Sequence, residues 1–97
     1  MDSDIRQIAG MLKVMANEHR LQILCELIEG PKTVSALGEK IVGISQSALS
    51  QHLALLKAHK LADCEKHGQS VIYRIADARL EEILAVLKRN YCKLPPQ

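Results

Sequence analysis

The side chains with the most chemistry to offer lie in one short run, Gln46-Ser47-Ala48-Leu49-Ser50-Gln51-His52. Read as a helix, the run puts Leu49, with Leu53 and Leu56 beyond it, on one face. Gln46, Ser47, Ser50 and Gln51 then collect on the opposite face, which is uncharged but dense in hydrogen-bonding groups. A merely solvated helix usually carries Lys and Glu there. A helix with short polar side chains fits the major groove of B-DNA, about 12 Å wide. There Gln pairs with N6 and N7 of adenine, and Ser serves as donor or acceptor to base or phosphate. His52 borders this face, and it also reads as a packing or capping histidine beside Leu49.

The other reactive groups are scattered. Cys25, Cys64 and Cys92 are odd in number and widely spaced, with no C-x-x-C or C-x-C pair. That suggests neither a secreted disulfide framework nor a zinc finger. Taken alone, Cys25 reads as a small core residue at the edge of an apolar stripe, and Cys64 as a packing residue on the strand face of Ala62. Glu81-Glu82 and Glu26 with Glu29 read as solvated helix faces rather than general acids. Without a Gly-rich phosphate loop or a nucleophile elbow, nothing points to an enzyme, and no cofactor is implied.

The elements that must position these residues follow from apolar spacing and capping signals. A first helix runs from about Asp4 to Met15, with Ile5, Ile8, Ala9, Leu12 and Met15 on one face. Asn17 caps a second, about Glu18 to Ile28, which Gly30-Pro31 stops. Thr33 caps a third, about Val34 to Lys40, and Ser45 a fourth, about Gln46 to His59, with Gly43 in the turn between. Ala62–Lys66 and Ser70–Ile75 alternate as short strands around Gly68-Gln69. Asp77 caps a last helix to about Tyr91, striped by Leu80, Ile83, Leu84, Leu87 and Tyr91. Lys88, Arg89 and Lys93 suit its C-terminal dipole, and Pro95-Pro96 ends the ordered chain. The predicted fold is therefore mostly α with a small β-hairpin wing. It is a winged helix-turn-helix in the order four helices, two strands, one helix.

Composition agrees with one domain over residues 1–97, with the helix-turn-helix at about 33–59 and the wing at about 62–75. The chain is 47% hydrophobic and 25% charged, so it is an ordinary globular chain and not a disordered one. Trp and Phe are absent and Tyr73 and Tyr91 are the only aromatics, which leaves the core to Leu, Ile, Val, Met and Ala. A monomer built this way is thinly stabilised, and burial against a partner is the usual remedy. Net charge is only +2. The mildly basic part is residues 45–74, where Lys57, Lys60, Lys66 and Arg74 face Asp63 and Glu65. No apolar run approaches the ~18 residues of a membrane span. The acidic start Met-Asp-Ser-Asp lacks the blocks of a signal peptide, so the expected location is cytoplasmic, with no membrane partner.

At Met15-Ala16-Asn17-Glu18-His19-Arg20-Leu21-Gln22-Ile23-Leu24-Cys25, at Ser45 through Leu53, and at Tyr91-Cys92, the chain resembles the ArsR/SmtB family of small bacterial repressors. The resemblance runs from about Leu12 to Cys92, and the outer segments are similar to those of a persulfide-sensing subgroup. It implies a homodimer whose first and last helices, about 4–15 and 77–92, pair across a two-fold axis. It implies double-stranded operator DNA as partner, an imperfect palindrome read by recognition helices roughly 34–36 Å apart. Gln46, Ser47, Ser50 and Gln51 would then contact bases or phosphates, with His52 at the border. His67, Gln69, Ser70 and Arg74 would set the wing near the backbone or minor groove, where a plain solvated hairpin is the alternative.

Metal-sensing members of that family carry Cys-x-Cys on the third helix or a His/Asp set on the last. Here Val34–Lys40 holds no thiol or imidazole. On the last helix Asp77 matches one ligand position, but Arg79, Lys88 and Tyr91 stand at the others, so neither metal site can form. The subgroup implies instead that Cys25 and Cys92 sense reactive sulfur species by joining as a disulfide or bridging polysulfide, and that DNA is bound when they are reduced. Two features depart from the family pattern. Cys64 stands where Ser or Thr is usual, and Ile41-Val42-Gly43-Ile44 is one residue longer. The competing readings are a redox-blind DNA-binding anti-repressor, a thiolate sensor of As(III) or Cd(II), and a pure protein-interaction module.

Overall fold

The computed structural model describes residues 2–92; Lys93 and Pro95-Pro96 lie outside them. Five helices and three short strands follow one another as α1 (Asp2–Met15), α2 (Glu18–Ile28), β1 (Lys32–Thr33), α3 (Val34–Lys40), α4 (Gln46–Ala58), β2 (Ala62–His67), β3 (Ser70–Ile75) and α5 (Ala78–Tyr91). This is a winged helix-turn-helix. Each expected cap is made by a side chain: Asn17 accepts from the Arg20 amide, Thr33 from Ala36, Ser45 from Ala48 and Asp77 from Arg79. Gly30, at φ +139°, takes the chain out of α2 through a conformation that side chains disfavour.

One element departs from the expected order. β1 is only two residues long and pairs antiparallel with β3, Lys32 opposite Tyr73 and Thr33 opposite Ile72. The sheet order is β1-β3-β2, so β3 is the central strand. Thr33 has two roles: it ends β1 and caps α3. β2 and β3 run in register from Ala62 opposite Ile75 to His67 opposite Ser70. Gly68, at φ +62°, opens the two-residue turn as the first position of a type II′ hairpin requires.

The core is aliphatic. Ile23, Leu24 and Leu27 of α2, Leu37 of α3, Leu49, Leu53 and Leu56 of α4, and Leu80 and Leu84 of α5 are all buried, with Tyr73 from the sheet. Burial of each such side chain stabilises by roughly 1.5–3 kcal/mol against chain entropy. The terminal helices are different. Val14 and Met15 are buried, but Ile5, Ile8 and Leu12 of α1 are 57%, 51% and 50% exposed. Val86, Leu87 and Tyr91 of α5 are exposed too. Only part of these stripes meets within the protomer: Ile8 and Met11 line a pocket with Leu80 and Ile83, while Ile5, Leu12, Val86, Leu87 and Tyr91 stay exposed.

α4 ends in a Schellman motif: the Lys60 amide donates to Lys57 O and the Leu61 amide to Leu56 O. The left-handed residue is Lys60, at φ +63°, where Gly is usual. The absence of that Gly is why the sequence extends α4 to His59. Lys60→Gly should therefore stabilise the protein by about 0.5–1 kcal/mol, and Lys60→Val should destabilise it. Urea titration would show the change as a shifted midpoint with an unchanged slope.

Candidate nucleic-acid interface and thiol pair

Burial of Leu49, Leu53 and Leu56 turns the other side of α4 outward, and Gln46, Ser47, Ser50 and Gln51 are all exposed there. Between α4 and the hairpin lies an open groove of about 440 Å³. Gln46 and Ser50 line one wall and Gln69 and Ser70 the other, so residues some twenty positions apart in sequence share one polar cleft. Thr33 and Ser35 also line it. The sequence reading missed both, and their one signal was the cap that places them at the start of α3.

His52 does not stand free beside these residues. It is half-buried, and its Nδ1 lies 3.3 Å from Arg20 Nη1. A guanidinium only donates, so Nδ1 accepts and the imidazole is neutral with its proton on Nε2. The same Arg20 donates through Nε to Val14 O at 2.6 Å. One side chain on α2 thus joins the end of α1 to α4. The His19 ring sits 5.7 Å from that of His52. Burial, then the Arg20 charge, then His19 hold the His52 pKa below its usual value.

On the wing, Gln69 and Ser70 are exposed at the tip. Arg74 and His67 are engaged by carboxylates. Arg74 Nη1 donates to Glu65 Oε1 at 3.1 Å and Nη2 reaches Asp63 Oδ2 at 3.5 Å, while His67 Nε2 lies 3.0 Å from Glu65 Oε2.

All three cysteines are free thiols. Cys25 is half-buried on α2, which packs against α5, and Cys92 is exposed at the C-cap of α5. The two are close enough to feel each other's charge. Burial raises the Cys25 pKa above its usual value, the Lys88 ammonium partly offsets this, and the charges of Cys92 and Glu26 add to the rise. Cys64 lies opposite Tyr73 and packs against the core, as its strand face predicts. Burial first, and then a hydrogen bond with Cys64, raise the Tyr73 pKa. Among the described residues, no group of three or more His, Cys, Asp or Glu side chains converges to hold a metal ion. Nor is any helix there long and apolar enough to cross a membrane.

A model of bacterial regulatory proteins of the arsR family matches residues 17–62, which span α2 through the first residue of β2. The transcriptional activator HlyU of Vibrio cholerae is 39% identical over 93 residues, covering 96% of this chain and 85% of HlyU. The chain belongs to the arsR family of bacterial regulatory proteins. HlyU structures superpose on this arsR-family chain with TM-scores of 0.90 and, for the reduced protein, 0.88; they cover 96% of it and 100% and 97% of those chains. The transcriptional repressor BigR of Xylella fastidiosa is 28% identical, with a TM-score of 0.85 over 97% of this chain and 95% of its own. Mb0332 of Mycobacterium bovis, whose structure is of a homodimeric winged helix-turn-helix DNA-binding domain, is 26% identical, with a TM-score of 0.79 over 99% and 93%. The chain is thus a transcriptional regulator by family, not an enzyme.

The partial burial of His52, with the Arg20 charge beside it, gives this regulator a pH-dependent stability. With its folded pKa lowered, His52 binds fewer protons in the folded state than in the unfolded one, whose value is 6.5. The contribution is present above about pH 6.5 and is lost as pH falls through the lowered value. His52→Asn keeps an acceptor for Arg20 and removes the titration. Urea midpoints measured from about pH 5 to 7.5 should rise with pH more steeply in the wild type than in this variant.

Proposed function

We propose that this chain is a dimeric transcriptional repressor that binds palindromic operator DNA when its thiols are reduced. It releases the DNA when reactive sulfur species or another oxidant cross-link Cys25 to Cys92. The observation that carries the DNA reading is the exposed, uncharged Gln46, Ser47, Ser50 and Gln51 face of α4, which shares a groove with Gln69 and Ser70 of the wing. Side chains of these types read base edges and phosphates. The exposed stripes of α1 and α5 support a dimer through the segments at about 4–15 and 77–92, as does the homodimeric relative Mb0332. The rest of the 97-residue unit then divides into a helix-turn-helix at about 33–59 and a wing at about 62–75, working in the cytoplasm.

The thiol reading rests on the packing of α2, which carries Cys25, against α5, which Cys92 caps, with the charge of Cys92 felt at Cys25, and on the solved relative HlyU, for which the reduced protein is distinguished. The exposed Cys92 is reached first. Its thiolate attacks a sulfane sulfur of an inorganic polysulfide, forming a persulfide and displacing the shorter polysulfide or hydrosulfide. The Cys25 thiolate then attacks Cys92 Sγ and expels hydrosulfide, leaving a disulfide; where Cys92 carries two or more added sulfurs, attack on the first of them expels the remainder of the chain and leaves a bridging polysulfide. Two thiols lose two electrons and the sulfane sulfur gains them. The Lys88 ammonium favours the Cys25 thiolate, and burial slows the step by disfavouring it. The bridge ties α5 to α2 and so alters the spacing of two recognition helices that must stand about one DNA turn apart.

Non-reducing intact mass and peptide mapping after polysulfide, and separately after peroxide, test the sensing half. The expected product is a Cys25–Cys92 link that lacks two hydrogens, with or without a gain of whole sulfur atoms, together with loss of operator binding. Cys25→Ser and Cys92→Ser should each bind the operator and ignore the oxidant. A normal response in both variants would overturn the assignment of the sensor to Cys25 and Cys92; no bridge with either oxidant, with both thiols still open to alkylation, would leave the redox-blind competitor as the function. Duplex binding that does not weaken as salt rises would count against a phosphate-contacting protein altogether.

A further inference from the structure

The wing carries two side chains suited to a DNA backbone, Arg74 and His67, and both are held by one carboxylate. Glu65 uses its oxygens separately, Oε1 for Arg74 at 3.1 Å and Oε2 for His67 at 3.0 Å, while Asp63 takes the second arm of Arg74 at 3.5 Å. The register makes this network possible. Asp63 lies directly opposite Arg74, Glu65 is opposite Ile72 and His67 is opposite Ser70, so all six residues share the outer face of the hairpin. With neutral imidazole that face carries two carboxylates against one guanidinium. Lys66, the remaining cation of these strands, is in register with Val71 on the other face. An approaching phosphate therefore meets a hairpin whose outer cations are already occupied.

We propose that Glu65 is a specificity-determining residue: it holds Arg74 and His67 as an internal stand-in for phosphate and so suppresses backbone binding by the wing. The proposal rests on the DNA-binding reading above. A carboxylate presents two oxygens to a guanidinium much as a phosphate does. The side chains of Glu65, Arg74 and His67 are 56%, 41% and 60% exposed, so water and salt weaken the internal bridge. DNA can therefore displace it, but only where the helix has already seated in its groove and holds a phosphate beside the wing. On arbitrary sequence that condition fails and Arg74 stays with Glu65. The network then keeps non-specific affinity low while leaving operator affinity nearly intact, and the ratio of the two is what decides occupancy in a genome.

Glu65→Gln removes the charge and keeps the shape of an exposed side chain. In the full reduced protein it should raise affinity for an arbitrary duplex several-fold at low salt and raise operator affinity less. The salt dependence should steepen by about one phosphate contact per wing, each worth a slope of roughly −0.9 in log K against log salt. Glu65→Gln combined with Arg74→Gln should return the slope to the wild-type value. Asp63→Asn should act in the same direction more weakly, because its contact is longer. Circular dichroism melts of each variant would verify the hairpin. A wild type that binds DNA with the usual salt dependence, while Glu65→Gln changes neither slope nor ratio, overturns the role of Glu65 and leaves the proposed function standing. A wild type that binds no duplex at any salt overturns both.

Discussion

The burial of Leu49, Leu53 and Leu56 sets what α4 can present, and most of the molecule exists to maintain it. With no Phe or Trp in the chain, the core that receives these leucines is built from other branched aliphatic side chains of α2, α3 and α5, with Tyr73 the one aromatic contribution. Such side chains lock a helix's rotation through shape and not through directional bonds. A helix with one fully apolar face has one rotational setting, and the Gln and Ser side chains point outward as a consequence. Arg20 adds the directional constraint, because its bonds to Val14 O and His52 Nδ1 fix how α2 meets α1 and α4.

Features that depend on neighbours in sequence were legible, and features that depend on register or distant contact were not. Asn17, Thr33, Ser45 and Asp77 could be named as caps because a cap reaches only two or three residues along the chain. β1 was invisible because what makes its two residues a strand is their pairing with β3, some forty positions away. The end of α4 was misplaced by one residue because Lys60 does the work of a glycine. In the candidate site, Cys25 and Cys92 were singled out only by the family resemblance, whereas the polar face of α4 could be picked out by residue type. What Arg74, His67 and His52 actually touch could not. The partners of Arg74 lie across the hairpin and that of His52 thirty-two positions away; Glu65 is only two residues from His67 on the same strand, but their contact depends on the side chains sharing the face that Arg74 also occupies.

The two thiols of the proposed sensor are unequal, and the inequality has a structural origin. α5 ends at Cys92 with the side chain in solvent, whereas Cys25 is half-covered by the packing of α2 on α5. Polarity and charge around Cys25 oppose one another, since burial and Glu26 disfavour its anion and Lys88 favours it. A pair arranged in this way separates access from reactivity: one sulfur meets the reagent, and the other decides whether the encounter becomes a lasting bond.

β3 is hydrogen-bonded on one edge to β2 and on the other to β1, and β1 runs straight into the cap of α3. The hairpin is thereby welded to the first helix of the helix-turn-helix and does not hang from a free hinge. Wing tip and polar helix face behave as one jaw, so a rigid-body rotation of the protomer carries both toward or away from a duplex together. In the proposed repressor, a helix that leaves its groove carries the wing tip with it, so the wing has no hold that could outlast that of the helix.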